Sequence, residues 1–311
     1  MAARSNWKEN WVRYAGVLLL LCLGGCAPVE RGAVTEAAAT KPIMTWYDLL
    51  SRPKPAPDAT VRYGADALQL VDVWKPAGAG PHPAVVMIHG GCWQTAIAER
   101  DIMNWIAGDL RAHGVGVWNI EYRGVDRGGG FPFTYLDVAS AADLFAARGG
   151  EFGFRTHMPA LVIGHSAGGH LALWLARREQ GLEEWDVLRG HNPLLVGLAI
   201  SQGGLPDLRA QTKLPNHPCG AEAAKQMAGL RDGGQGAFAR SSPPEMPKGA
   251  VRELQFNNEL DHVASPAFGK AYGEEMVVTE GEGHVELIAP DSVSWGKQRA
   301  EILKFFGMPT R

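Results

Sequence analysis

The sequence predicts an α/β fold: a mostly parallel central sheet flanked by helices, with a lid-like insertion after the sixth strand. Three observations carry this expectation. Strand-like runs alternate with stretches of helical apolar spacing along most of the 311 residues, the pattern of strands joined by crossover helices. Several runs, such as Ala84-Val85-Val86-Met87-Ile88, are continuously apolar, as strands buried on both faces must be. The alternation breaks over residues 203–250, where Gly, Pro and Gln accumulate around Cys219.

At 46% hydrophobic and 20% charged residues, the chain can bury one large core. The formal net charge is -3, and no basic block is long enough to track a phosphate backbone. That excludes nucleic acid as an expected partner and leaves a small molecule as the expected substrate.

The N-terminus carries Arg4, Lys8 and Arg13, then the apolar run 15–23, then Gly24-Gly25 just before Cys26. This is a signal-peptide pattern over residues 1–25, too short for a stable membrane span. Leu23-Gly24-Gly25-Cys26 also resembles the bacterial lipobox, which implies cleavage before Cys26 and lipidation of its thiol. A membrane attachment through that N-terminal lipid is expected, at roughly 0.8 kcal/mol per buried methylene. Ala27 rather than aspartate follows the cysteine, which by the same resemblance favours the outer membrane of a bacterial cell envelope. A soluble secreted or periplasmic protein is the alternative. Cys92 and Cys219 remain in the mature chain, and an oxidising compartment permits them to pair or to stay as two thiols.

Residues 26–57 read as a tether: an Ala-rich stretch, the short amphipathic turn Thr45-Trp46-Tyr47-Asp48-Leu49-Leu50, and the stiff Pro53-Lys54-Pro55-Ala56-Pro57. The catalytic domain is expected over 58–311. Its strands are predicted at 61–63, 68–74, 84–89, 116–122, 161–165, 194–201, 253–257 and 276–279. Helical apolar spacing covers 97–113, 136–147, 168–179 and 292–306, with one further helix at 221–230 inside the insertion. The insertion follows a strand end, where ligands bind in open α/β sheets, so it is expected to form a lid or pocket wall.

Chemistry concentrates at four places. Gly164-His165-Ser166-Ala167-Gly168 lies between the apolar strand Leu161-Val162-Ile163 and a helical run from Leu171. This is the strand, turn and helix that expose a serine nucleophile at a strained backbone position. Ser166 needs an acceptor for its proton. His284, in the loop after the last strand, is the expected base. Asp261, after the penultimate strand, is the expected acid that orients the histidine, with Glu259 as the fallback. The oxyanion donors are expected from the amide of Ala167, at a helix N-terminus, and from Gly91 and Cys92 after His89. Trp93 is expected to line the substrate pocket, with a purely structural tryptophan as the other reading. His165 and His170 flank the serine and are expected mainly to pack, with His165 at the strand end assigned to the pocket lining. Their spacing does not put two histidines on one helix face, so no metal is expected, and no cofactor either.

With these residues in this order, the chain resembles the serine esterases of the α/β-hydrolase superfamily whose oxyanion loop reads HGGxW, here His89-Gly90-Gly91-Cys92-Trp93. That group includes kynurenine formamidase-like and feruloyl-type enzymes. Glu121-Tyr122-Arg123, Gly128-Gly129-Gly130-Phe131-Pro132 and Asp137-Val138 are similar to the group's stretch between oxyanion loop and nucleophile. The acid loop departs from the group's usual Gly-x-x-Asp-x-x-Val-Pro, because Asn258 replaces the glycine and Val263-Ala264-Ser265-Pro266 lengthens the ending. The resemblance implies Ser166, His284 and Asp261 as a triad acting on small carboxylic esters. An amidase, such as an arylformamidase or short-peptide hydrolase, shares that chemistry and stays open. A non-catalytic envelope lipoprotein that reuses the fold for binding is the reading from another class.

Overall fold

Apolar and β-branched runs become the strands of one eight-stranded sheet, and the helices between them cover both of its faces. The computed structural model describes residues 42–184, 186–230 and 235–310. The expected signal peptide over 1–25 and the expected lipidation site at Cys26 lie outside these residues.

The strands are β1 (Ala59–Arg62), β2 (Leu70–Trp74), β3 (Ala84–Ile88), β4 (Gly116–Ile120), β5 (Ala160–His165), β6 (Val196–Gln202), β7 (Arg252–Asn258) and β8 (Glu275–Thr279). Their order is β1-β2-β4-β3-β5-β6-β7-β8, and β2 is antiparallel to both of its neighbours while β4 to β8 and β3 run parallel. All eight strands fall where the apolar runs predict them, with ends shifted by up to two residues.

The helices are α1 (Trp46–Leu50), α2 (Asn104–Ala112), α3 (Phe133–Arg148), α4 (Ala167–Gly181), α5 (Leu208–Gln211), α6 (Ala221–Met227), α7 (Phe238–Ser241), α8 (Pro266–Tyr272) and α9 (Val293–Phe305). Alternation along β3 shows how the core divides. Val86 and Ile88 face Tyr135, Val138, Leu171 and Trp174 of α3 and α4. Val85 and Met87 face Ile106 and Leu110 of α2, with Trp295 and Ile302 of α9. Each such fully buried side chain contributes roughly 1.5–3 kcal/mol relative to exposure, so the sheet is fixed from both sides.

The helices depart from expectation over 97–113 and in the unforeseen α5, α7 and α8. The stretch predicted as one helix over 97–113 is a 3-10 turn, Arg100–Met103, running into α2. Its first residues are drawn off the helical path, since the Arg100 amide donates to the Glu121 carboxylate and the Arg100 side chain pairs with Asp72 at 2.8 Å. The unforeseen α8 starts at Pro266, where a fixed φ suits a first helical residue. The insertion after β6 packs inward, with Leu205, Leu208, Ala224, Met227 and Phe238 in the main core. It is a wall of the domain more than a loose lid.

Candidate active site

Ser166 sits at the turn from β5 into α4, with φ 53° and ψ -119°. The strand and helix close on it tightly: a Cβ on Gly164 would lie 2.0 Å from the Gly168 carbonyl oxygen, and one on Gly168 would lie 2.2 Å from that of Ile88. Only glycine fits either position, which is why the motif brackets the serine with two. Ala167 opens α4, so its amide is among those with no partner inside the helix, at the positive end of the helix dipole.

The loop after β3 lies against this elbow. Gly91, Cys92 and Trp93 all have positive φ, at 99°, 55° and 58°. For the two non-glycine residues that conformation costs roughly 1–2 kcal/mol each. Two anchors hold it. Cys92 is bonded to Cys219 at an S–S distance of 2.01 Å, and Trp93 is completely buried, with its indole N–H donating to His170 Nδ1 at 3.2 Å. The expectation that Trp93 lines the pocket is therefore corrected, because the left-handed turn swings the indole into the core. His170 donates from Nε2 to the Ser241 carbonyl at 2.7 Å. Its ring is thus a buried neutral imidazole, and burial lowers its pKa to about 4.

His89 fixes the same loop from behind. Its Nε2 meets Glu121 Oε1 at 2.8 Å, its Nδ1 meets the Gly90 carbonyl at 2.7 Å, and its ring stacks on Tyr122 at 4.3 Å. Burial works to raise the Glu121 pKa, but the His89 contact and the amides of Arg100 and Tyr122 outweigh it and hold the carboxyl below its usual value.

On the other side of the serine, Asp261 Oδ2 accepts from His284 Nδ1 at 2.7 Å. Asp261 Oδ1 takes the amides of Val263 and Ala264 at 2.8 and 2.7 Å. Burial alone would raise the Asp261 pKa. The His284 contact and the two amides reverse that and keep the carboxyl below its usual value. Glu259, the fallback, is exposed and accepts from the Gly281 amide instead.

Asn258, the departure in the acid loop, donates to the Gly283 carbonyl at 2.7 Å and so ties the acid loop to the histidine loop. Gly203 was not foreseen. With φ at 54°, it passes so close that a Cβ would lie 3.1 Å from Asp261 Oδ2 and 3.2 Å from His284 Nδ1.

These groups meet at one cavity of about 430 Å³, at the C-terminal ends of the parallel strands. Ser166, His284, Gly91, Cys92 and His165 line it, joined by Trp46, Leu50, Ile97, Ala98, Ile102, Pro218 and Val263. His165 donates from Nε2 to the His284 carbonyl at 3.2 Å. Burial, with the nearby His284 ring, pushes its pKa far below the usual histidine value, so it stays neutral. The apolar wall from α1 and from 97–102 was not read from the sequence, and among the described residues the insertion contributes only Pro218. A separate cavity of about 310 Å³ opens by Ala84 and Ala160, at the opposite strand ends.

Residues 71–229, just over half of the chain, match the BD-FAE family. The chain belongs to the BD-FAE family. The match runs from β2 through α6 and takes in His89, Ser166 and Cys219, while Asp261, His284 and α1 lie outside it. Esterase LipC of Mycobacterium tuberculosis is 36% identical over 115 residues, covering 36% of this chain and 28% of that protein. The match thus spans well under a third of that relative.

Solved structures extend the likeness to the fold of the whole described domain. Esterase B from Lactobacillus Rhamnosis superposes with a TM-score of 0.63 at 19% identity, over 82% of this chain and 87% of that one. Thermogutta terrifontis esterase 2 phosphonylated by sarin superposes at 0.65 with 18% identity, over 83% and 97%. A truncated form of a carbohydrate esterase from gut microbiota gives 0.64 at 17% identity, over 81% and 99%. The α/β-hydrolase fold read from the motif order is the fold of this BD-FAE member.

Proposed function

We propose that the protein is a serine hydrolase that cleaves small carboxylic esters through an acyl-enzyme. One observation carries the reading: a serine on a strained elbow shares its cavity with a histidine whose Nδ1 is held by a buried carboxylate. That combination keeps the far ring nitrogen, Nε2, free to act as a base. In the first half-reaction Ser166 Oγ attacks the ester carbonyl carbon as His284 Nε2 takes its proton. The oxyanion is received by the amides of Ala167, Gly91 and Cys92. Collapse of the tetrahedral adduct breaks the bond to the alcohol oxygen, and His284 returns the proton to it. Water then attacks the acyl carbon, again giving its proton to His284, and the acid leaves as Ser166 recovers its hydrogen.

The names of the similar proteins, esterases in each case, support an ester as the substrate. The Cys92–Cys219 bond supports an oxidising compartment, in keeping with the signal-peptide pattern and the proposed lipid anchor at Cys26 in the cell envelope. The test is hydrolysis of p-nitrophenyl acetate, butyrate and octanoate, with Ser166→Ala beside the wild type and matched amides in parallel. Serine-dependent ester turnover with slower amide turnover is expected. Turnover that survives Ser166→Ala, or failure of a fluorophosphonate to label Ser166, would overturn the mechanism.

A further inference from the structure

We propose that Trp46 determines which alcohol the site accepts, by forming an apolar subsite for the leaving group. The proposal rests on the serine ester-hydrolase reading above. Trp46 lies in α1, ahead of the family-matched stretch that begins at residue 71. The subsite is therefore a property of this chain's own N-terminal segment.

α1 is built as a fixed wall. Thr45 and Asp48 cap it reciprocally, the Asp48 carboxylate accepting the Thr45 amide at 2.7 Å and Thr45 Oγ accepting the Asp48 amide at 3.3 Å. Leu49 is fully buried in the core cluster that holds Ile102 and Ile106. The segment is also bound to the histidine loop itself. Glu286 accepts the Gly283 amide on one carboxylate oxygen at 3.1 Å and the Met44 amide on the other. Arg52 pairs with Asp291 at 2.6 Å. Trp46 is thereby held in register with His284, which its ring meets edge-on at 6.3 Å, and with His165 at 6.1 Å.

The direction of proton transfer says which part of the substrate lies there. His284 must hand its proton to the alcohol oxygen, so that oxygen lies against the His284 ring and the rest of the alcohol continues past it. The carbonyl oxygen is directed the other way, to Gly91, Cys92 and Ala167. Beyond His284 the wall is Trp46 and Leu50, which are 38% and 49% exposed despite being large and apolar. Among the described residues, no Asp, Glu, Lys or Arg lines the cavity. The alcohol that fits is uncharged and apolar, aryl or alkyl, and not a polyol.

The experiment compares full-length wild type, Trp46→Ala and Trp46→Phe on methyl, benzyl and glyceryl butyrate, with benzyl acetate as the acyl control. Wild type is expected to favour the benzyl ester over both others. Trp46→Ala should cut the benzyl-to-methyl ratio of kcat/KM about tenfold, mostly through KM. Trp46→Phe should restore most of that ratio, and the butyrate-to-acetate ratio should stay put in all three proteins. A merely structural role would lower every ester alike. An unmoved benzyl-to-methyl ratio, or a shift in the acyl ratio instead, overturns the proposal while the ester-hydrolase reading stands. Absence of Ser166-dependent hydrolysis of any ester overturns both.

Discussion

Asp261 divides its two carboxylate oxygens between two tasks: Oδ2 holds His284 Nδ1 at 2.7 Å, while Oδ1 holds the amides of Val263 and Ala264. Substitution Asp261→Asn can keep an acceptor oxygen toward the two amides and so preserve the loop. The amide nitrogen then faces His284 Nδ1 and forces the wrong tautomer, leaving Nε2 protonated and unable to act as a base. We expect kcat to fall about 10⁴-fold with the melting temperature shifted by only a few degrees. Steady-state kinetics and a thermal melt on the same preparation check this.

The disulfide joins a proposed oxyanion residue to the insertion, so its loss should be felt in both stability and rate. Cys219→Ser is expected to lower stability by about 2–4 kcal/mol, measured by urea denaturation. It should also lower kcat, because the left-handed turn at Cys92 loses one of its two anchors. Dithiothreitol on the wild type should reproduce both effects, and on Cys219→Ser should add nothing. A variant as active as the wild type would show that Trp93 and the His89 contacts secure the loop without the bond.

Glu121 is buried between His89 and Arg100, with contacts at 2.8 and 3.5 Å. Replacing it with alanine leaves buried His89 without that partner, which should destabilise the fold by about 3–5 kcal/mol. In the fraction that remains folded, the oxyanion loop loses its rear support. The expected signature is a lower kcat with KM little changed, read from kinetics below the melting range.

Stability should begin to decline in acid at a pH above the usual carboxylate range. The buried His170 has its folded pKa lowered to about 4, and His165 is also lowered well below the usual value of 6.5. The unfolded chain therefore takes up protons that the folded chain refuses, and stability falls as pH drops from about 6.5 towards 4. For His170 alone the loss amounts to about 3 kcal/mol over that window. Glu121 and Asp261 have depressed folded values, so their contribution is present above the unfolded carboxylate range and is lost only below it. Urea midpoints between pH 7 and 4.5 should show the slope, and His170→Gln should flatten it.

Strands such as β3 and β5 were legible because a parallel strand buried on both faces is apolar throughout, whereas β1, β7 and β8 carry mixed runs and were read from their alternation with helical spacing. The candidate site residues Ser166, Asp261 and His284 were legible by order along the chain, although that order alone does not separate Asp261 from Glu259. That choice is made by burial, which only the folded acid loop shows. The role of α1 was hidden by its length. Five residues cannot display a 3.6-residue period, and the Thr45 and Asp48 capping pair was the one local sign. Trp93 was misplaced because its direction depends on two positive φ angles in non-glycine residues, which sequence propensity argues against.

The Cys92–Cys219 bond spans 127 residues, and the ring it closes encloses Ser166 while leaving Asp261 and His284 outside. A single protease cut anywhere from 93 to 218 therefore opens the ring without releasing a fragment. The nicked chain would run as one covalent species until its sulfur bridge is reduced, and as two pieces afterwards. Damage on the serine side of the site can thus be carried silently by an intact-looking molecule, whereas a cut between Cys219 and Asp261 leaves Ser166 and His284 on covalently separate pieces.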